Sequence, residues 1–260
     1  MEKKQAAAVM LLVVLLSSMC VVGYHTQFVD GKDENDFNEG NFIEENDFGE
    51  GKEMTTYNGA CGNSATWTLD TVSNTLTISG TGAMNDYTMG GAPWYNYYSY
   101  CQNIIIEDDI TSIGKYAFYY CWIRSVTIPD SVTSIADHAF RQCNMFNWSI
   151  VIPDSVTSLG QFAFMSCTKI TSISFGNGIT SIGGSALYNC TALTSITFGK
   201  NITSIGGSAF YNCSKVTSVT FLGDQPTFGS KALAFKTDSS GELITTIYSK
   251  GWASDSVFPT

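Results

Sequence analysis

Cys121, Cys143, Cys167, Cys190 and Cys213 follow one another at intervals of 22, 24, 23 and 23 residues, and the chain around each is nearly the same. With units started at Ile104, Val126, Ile150, Ile173 and Ile196, every cysteine falls at unit position 18. A recurrence of this length marks a solenoid, in which each unit is one coil that cannot cover its own apolar face and stacking supplies the cover. Few other architectures are open to such a chain. Binding rather than catalysis becomes the default use of its surface.

Overlaid, the five units are apolar or cysteine at positions 1, 3, 7, 10, 15 and 18, and position 14 is always alanine (Ala117, Ala139, Ala163, Ala186, Ala209). Positions 1 and 3 alternate with position 2, the period of a strand with one buried face. Pro129 and Pro153, or Gly176 and Gly199, end that strand. A second short extended piece leads to Gly114, Gly160, Gly183 and Gly206, with Ala136 departing. A corner that uses the positive φ open to glycine is expected there. The Ala-Phe pair and the cysteine three residues on have helical spacing, which predicts one short helical or 3₁₀ turn. The expected fold is therefore a β-rich solenoid with short strands and a helical turn in each coil of roughly 23 residues. Its core is a phenylalanine ladder (Phe118, Phe140, Phe164, Leu187, Phe210, Leu233) beside an isoleucine ladder (Ile113, Ile135, Leu159, Ile182, Ile205, Phe228).

Eight cysteines in a secreted chain invite a disulfide framework. The register argues for buried reduced thiols instead. Position 18 points inward, and ladder neighbours point in parallel rather than at one another. A row of thiols along a rod is not tetrahedral, so no metal site is expected from it. A Cys61–Cys101 pairing is left open.

Five segments follow along the chain. Residues 1–23, with Lys3 and Lys4 before an apolar run, read as a secretory signal peptide; an uncleaved membrane anchor is the alternative. Residues 24–54 read as a disordered spacer, because ten acids stand against two lysines between Asp30 and Glu53. Residues 55–103 form a small β cap, with Thr66–Asp70 and Thr75–Ser79 alternating as a hairpin. The solenoid takes 104–223 and a C-terminal cap 224–260, where Trp252 and Phe258 are candidates to close the end. Of the net charge of −10, the stretch from Met54 onward carries only −3. With no basic stripe, nucleic-acid binding is not expected.

Candidate chemistry is sparse. The two histidines, His25 and His138, have no nucleophile and acid arranged around them, and no phosphate loop or metal motif occurs. No cofactor is expected. Two faces are candidates for binding. Outward strand positions form an uncharged hydroxyl-rich ladder of Thr127, Ser174, Thr197 and Thr220, interrupted by Val151; strand propensity alone also accounts for it. Near the turns stand Tyr119, Tyr120, Tyr188 and Tyr211, with Tyr116 and Phe162 beside them. The run Trp94–Tyr100 could stack on glycans or simply join cap to first coil. Sequons begin at Asn147, Asn189, Asn201 and Asn212 and matter only on a eukaryotic secretory route.

The unit running from Val126 to Cys143 resembles the leucine-rich repeat of the BspA-like surface proteins of bacteria and some parasitic protists. The stretch from Gly62 to Tyr95 is similar to that family's amino-terminal cap, and the stretch from Phe221 to Trp252 to its closing cap. The resemblance implies secretion or surface display and adhesion to a protein or glycan partner, host extracellular matrix included, with no catalytic residues to carry over. A monomeric binding protein is the leading expectation. A structural or self-associating surface component is the alternative, and a carbohydrate-active enzyme stands third.

Overall fold

The computed structural model describes residues 55–235 and the backbone strand Thr246–Ser249. The segments read as signal peptide and spacer, and Trp252 and Phe258, lie outside the described residues. The described chain opens with three antiparallel strands, β1 (Thr56–Ala60), β2 (Gly62–Asp70) and β3 (Thr75–Met84). The expected hairpin is β2–β3, and β1 adds an edge strand beyond it.

Two strands per coil follow. On one face lie β4 (Asn103–Ile106), β6 (Ser125–Thr127), β8 (Trp148–Ile152), β10 (Ile170–Phe175), β12 (Ser195–Phe198), β14 (Ser218–Phe221) and β16 (Thr246–Ser249). On the other lie β5 (Ile110–Ile113), β7 (Ser134–Ile135), β9 (Ser158–Leu159), β11 (Ser181–Ile182), β13 (Ser204–Ile205) and β15 (Thr227–Phe228). Equivalent strands pair in parallel, one coil to the next, with like residues in register: Ile173 against Ile196, Ile182 against Ile205. Strand β3 serves as the template for both faces. Its first half pairs β4 and its second half β5. The change of face is made at Gly80, whose φ of 94° and contact with the Ser64 carbonyl leave no room for a Cβ. The cap is thus the first rung as well as a lid.

The third side of each coil departs from the sequence expectation. Among the described residues the only 3₁₀ segment is Tyr95–Tyr97, in the cap; the Ala-Phe corners are not helical. Positions 13 and 17 both take positive φ in five coils: Tyr116 and Tyr120, His138 and Gln142, Phe162 and Ser166, Ser185 and Asn189, Ser208 and Asn212. A left-handed residue on each side of Ala-Phe stops any helix from propagating. The freed N–H groups at positions 13, 15 and 17 donate to the next coil instead, as in Phe162 to Gly184, Phe164 to Ala186 at 2.7 Å and Ser166 to Tyr188. This side is therefore a hydrogen-bonded ladder like the strands, built from turns.

The corner glycines also act otherwise than expected. Gly160, Gly183 and Gly206 do not take positive φ. A Cβ on Gly183 would lie 2.6 Å from the Gln161 nitrogen and the Gly160 carbonyl carbon, in the coil beneath. Closeness of backbone to backbone requires them, not left-handed conformation.

Both expected core ladders are present. Phe118, Phe140, Phe164, Leu187 and Phe210 are fully buried, and the first three rings stack at 5.0 Å from centroid to centroid. Where the ladder thins at Leu187, phenylalanines enter at position 3: Phe175, Phe198 and Phe221 stack at 5.4 and 4.4 Å, in place of Ile106, Ile128 and Ile152 in earlier coils. Aromatic volume moves from one corner to another and the interior stays filled.

All seven described cysteines are free and buried, Cys61 and Cys101 included. They are more than small hydrophobes. The thiols of Cys143, Cys167, Cys190 and Cys213 donate to the carbonyls of Phe118, Phe140, Phe164 and Leu187, one coil back, at 2.9–3.2 Å.

Candidate functional site

The rod presents two faces that match the candidates read from the sequence, and they are separate. On the strand face Thr127 is exposed, while Ser174, Thr197 and Thr220 are half-buried. Among the described residues none of these four hydroxyls makes a side-chain hydrogen bond. The flanking threonines behave differently: Thr171, Thr194 and Thr217 donate their hydroxyls to the carbonyls of Trp148, Thr171 and Thr194. Thr133, Thr157, Thr180 and Thr203 do the same along the second sheet. A hydroxyl so placed stitches coil to coil and is a poor recognition group. The position-2 hydroxyls, not these threonines, are free to face a ligand.

On the turn face Tyr119, Tyr188 and Tyr211 occupy one ladder position, 16, but Arg141 and Met165 stand between the first and the other two. They form two patches. Tyr188 stacks on Tyr211 at 5.2 Å, with the Lys231 ammonium 6.0 Å from the Tyr211 ring. The larger patch gathers around the first coil. Tyr119 stacks on Tyr95 at 6.1 Å, and Tyr98 meets Tyr120 and Trp122 edge-on at 5.3 and 5.6 Å. Tyr116, His138 and Phe162 continue it as a parallel stack at 4.4 and 4.8 Å. Tyr120 is 41% exposed, the rest half-buried.

The run Trp94–Tyr100 divides between its two readings. Trp94 is fully buried, stacks on Phe118 and donates Nε1 to the Ala117 carbonyl at 2.8 Å. Tyr97 stacks on Tyr57 in the cap at 4.2 Å. These two join cap to coil, while Tyr95 and Tyr98 turn outward into the patch. Sequence reasoning missed Trp122 and the convergence of Tyr98 on it, since only the coil path brings them together.

Electrostatically the patch is mild. Desolvation raises the phenols of Tyr95 and Tyr119 above the ordinary tyrosine value, so both are neutral donors. Desolvation, with Arg141 nearby, lowers the His138 imidazole below its usual value and keeps it neutral in its stack. The nearest ion pair is Lys115–Asp137 at 3.6 Å. Among the described residues no group of three histidine, cysteine or acidic side chains could hold a metal ion. A surface of neutral rings with phenolic edges can stack on flat apolar faces and hydrogen-bond at its margins.

Comparison with known proteins bears on the fold. Two overlapping stretches, 92–217 and 146–246, match the family described as BspA type leucine-rich repeat region, in six copies, over more than half the chain. No curated protein matches. Among solved structures, a leucine-rich repeat protein of T. pallidum is 20% identical, over 66% of this chain and 87% of its own, with a TM-score of 0.48. One from Bacteroides ovatus is 30% identical over 52% of this chain and 37% of its own (TM-score 0.45). A leucine-rich cell surface protein of Faecalibacterium prausnitzii is 17% identical over 70% and 74% (TM-score 0.32). With the repeat matched over that length and the coils stacked in register, the chain belongs to the BspA-type leucine-rich repeat family.

Proposed function

We propose that this chain is a non-catalytic binding module of the cell surface or extracellular space, and that its principal recognition surface is the aromatic patch Tyr95, Tyr98, Tyr119, Tyr120 and Trp122. The observation that carries this reading is the convergence of five rings from the cap and the first coil on one nearly neutral face. Aromatic side chains give large contact area at small entropic cost and dominate the energetics of many interfaces. The partner is a protein or glycan, host matrix included. The free hydroxyl ladder of Ser174, Thr197 and Thr220 supplies secondary contacts on the strand face. Family membership and surface-protein relatives support display outside the cell.

The test is binding of the folded protein to arrays of glycans and matrix proteins, with Tyr120→Ser and Trp122→Ser as patch variants. Each should weaken a true ligand at least tenfold, the loss of ~1.4 kcal/mol or more expected of a hot-spot ring. The Ser174→Ala and Thr197→Ala variants should have smaller effects. A ligand that binds both patch variants as it binds the wild type would remove the patch from consideration.

A further inference from the structure

The sheet that carries the outward hydroxyls is not continuous. Strand β6 pairs with β4 alone and β8 with β10 alone, so between the second and third coils that face has two open edges. On the other face β7 pairs with β9, and the turn ladder runs unbroken from His138 to Gln161. The coils are therefore stacked normally on two sides and splayed on the third. Chain length explains the splay. Val126 follows Cys121 by five residues, Ile150 follows Cys143 by seven, and in later coils the step is six. The short connection draws β6 toward β4, and the long one, through Asn144–Asn147, lets β8 follow β10.

Most Cα atoms of β6 are more than 8 Å from those of β8, against roughly 4.8 Å between paired strands; a strand seated between two others needs about twice that spacing. Since alternate residues of a strand point to opposite neighbours, Val126 and Ile128 on one lip and Ser149 and Val151 on the other present their N–H and C=O groups to the gap. Neither lip makes a backbone hydrogen bond across it. Val126 is half-buried, whereas its counterparts Ile104, Ile150, Ile173 and Ile196 are almost fully buried; the other inward side chains of the lips, Ile128, Ile150 and Ile152, stay buried, and the Nε1 of Trp148, a 96% buried side chain at the head of β8, has no partner.

From these observations we infer that the gap is an acceptor site for an extended segment of a partner protein, taken up as an added parallel strand. Unpaired backbone groups on both lips recognise backbone and give affinity; the exposed flank of Val126 asks for β-branched side chains at alternate positions. Charge sets the ends. Arg124 stands just before β6, its guanidinium 4.1 Å from the Phe146 ring, and Asp130 and Asp154 follow the ends of β6 and β8, with the Asp154 carboxylate also accepting from the Asn177 N–H. The fitting segment therefore carries an acid before its strand and a base after it. This site is distinct from the aromatic patch and does not depend on it.

The probe is the labelled peptide Glu-Ser-Val-Thr-Val-Lys, followed by fluorescence anisotropy on the full chain, with hydrogen exchange at the Val126 and Val151 amides. Binding that slows exchange at both amides is the expected result. Val151→Pro removes an N–H that faces the gap and breaks no hydrogen bond within the chain, so it should weaken binding at least tenfold while circular dichroism stays unchanged. Asp130→Lys, at an exposed position beyond the end of β6, leaves every strand intact and should reduce the preference for Glu-Ser-Val-Thr-Val-Lys over Lys-Ser-Val-Thr-Val-Glu; it decides the matter should the proline variant misfold. Absence of binding at millimolar peptide would overturn the inference. So would equal binding by both variants, or concentration-dependent protection of the same amides without peptide, which would assign the gap to a second copy of the chain.

Discussion

At the scale of single residues, the cysteine ladder is where the physical reading changes most. A thiol chosen only as a small hydrophobe would be replaced better by alanine than by serine, because serine buries a hydroxyl. Cys167 instead donates to the Phe140 carbonyl at 2.9 Å. Serine keeps a donor for that carbonyl, and alanine leaves both a small void and a weaker-paired oxygen. Cys167→Ser should therefore be the more stable of the two, by about 1 kcal/mol in urea melts; the opposite order would return the ladder to the purely apolar reading. Titration follows the same geometry. Burial pushes Cys61 up to about 11 and holds Cys143 and Cys190 well above the ordinary thiol value of 9.0. Folded thiols then keep protons that the unfolded chain gives up. The stability they contribute is complete below pH 9 and falls as pH rises toward 11, by about 1.4 kcal/mol per pH unit for each such thiol. Denaturant midpoints under reducing conditions at pH 8, 9.5 and 10.5 measure this, and a flat series would mean the thiols are not buried in protonated form.

At the scale of elements, strands and ladders were legible in the sequence and the turns were not. Alternation at positions 1 to 3 and the repeat of like residues 23 apart report directly on burial, which is what patterning encodes. The left-handed residues at positions 13 and 17 are tyrosine, histidine, phenylalanine, glutamine, serine and asparagine, with no glycine to announce them. Their conformation is imposed by hydrogen bonds to the next coil, a long-range cause that leaves no local signature. The glycines misled for the complementary reason: glycine marks positive φ and close approach alike. Adjacent positions in one coil separate the two. Gly183 lies against the backbone of the coil beneath, whereas the nearest atom to a Cβ on Gly184 is the Gly207 carbonyl oxygen at 3.4 Å, and neither takes positive φ. Gly183→Ala should cost about 1–3 kcal/mol by forcing coils apart, and Gly184→Ala should be neutral or gain up to about 1 kcal/mol from the unfolded state. Equal effects at the two positions would contradict backbone contact as the reason for the glycine. For the aromatic patch, Tyr119 and Tyr120 could be named from the repeat, but their joining with Tyr95, Tyr98 and Trp122 depends on how the cap docks.

At the scale of the whole molecule, stability in a stack of this kind is the sum of what each coil contributes and what each interface between neighbours contributes. The interfaces between coils should be nearly equivalent except that between the second and third, and the register Ser172–Ser195 and Ile173–Ile196 allows a coil to be excised without changing the path of the chain. Removal of residues 173–195 joins Ser172 to Ile196, and deletes one complete coil with one well-formed interface. Removal of residues 126–149 joins Ser125 to Ile150, and deletes the coil whose strand face fails to meet its successor. In the second product, the strand that starts at Ser125 and continues through Ile150 to Ile152 has β4 on one side and β10 on the other, so the sheet closes. Both shortened chains should fold, with denaturant slopes lowered in proportion to the surface lost. The second should lose less stability than the first, because it exchanges a splayed interface for a paired one. The same deletion should abolish uptake of the extended peptide, while leaving the patch around Tyr119 and Trp122 intact. A larger loss on removing 126–149 than on removing 173–195 would mean that the second and third coils are as firmly joined as the rest, and that the unequal spacing of their cysteines has no structural consequence.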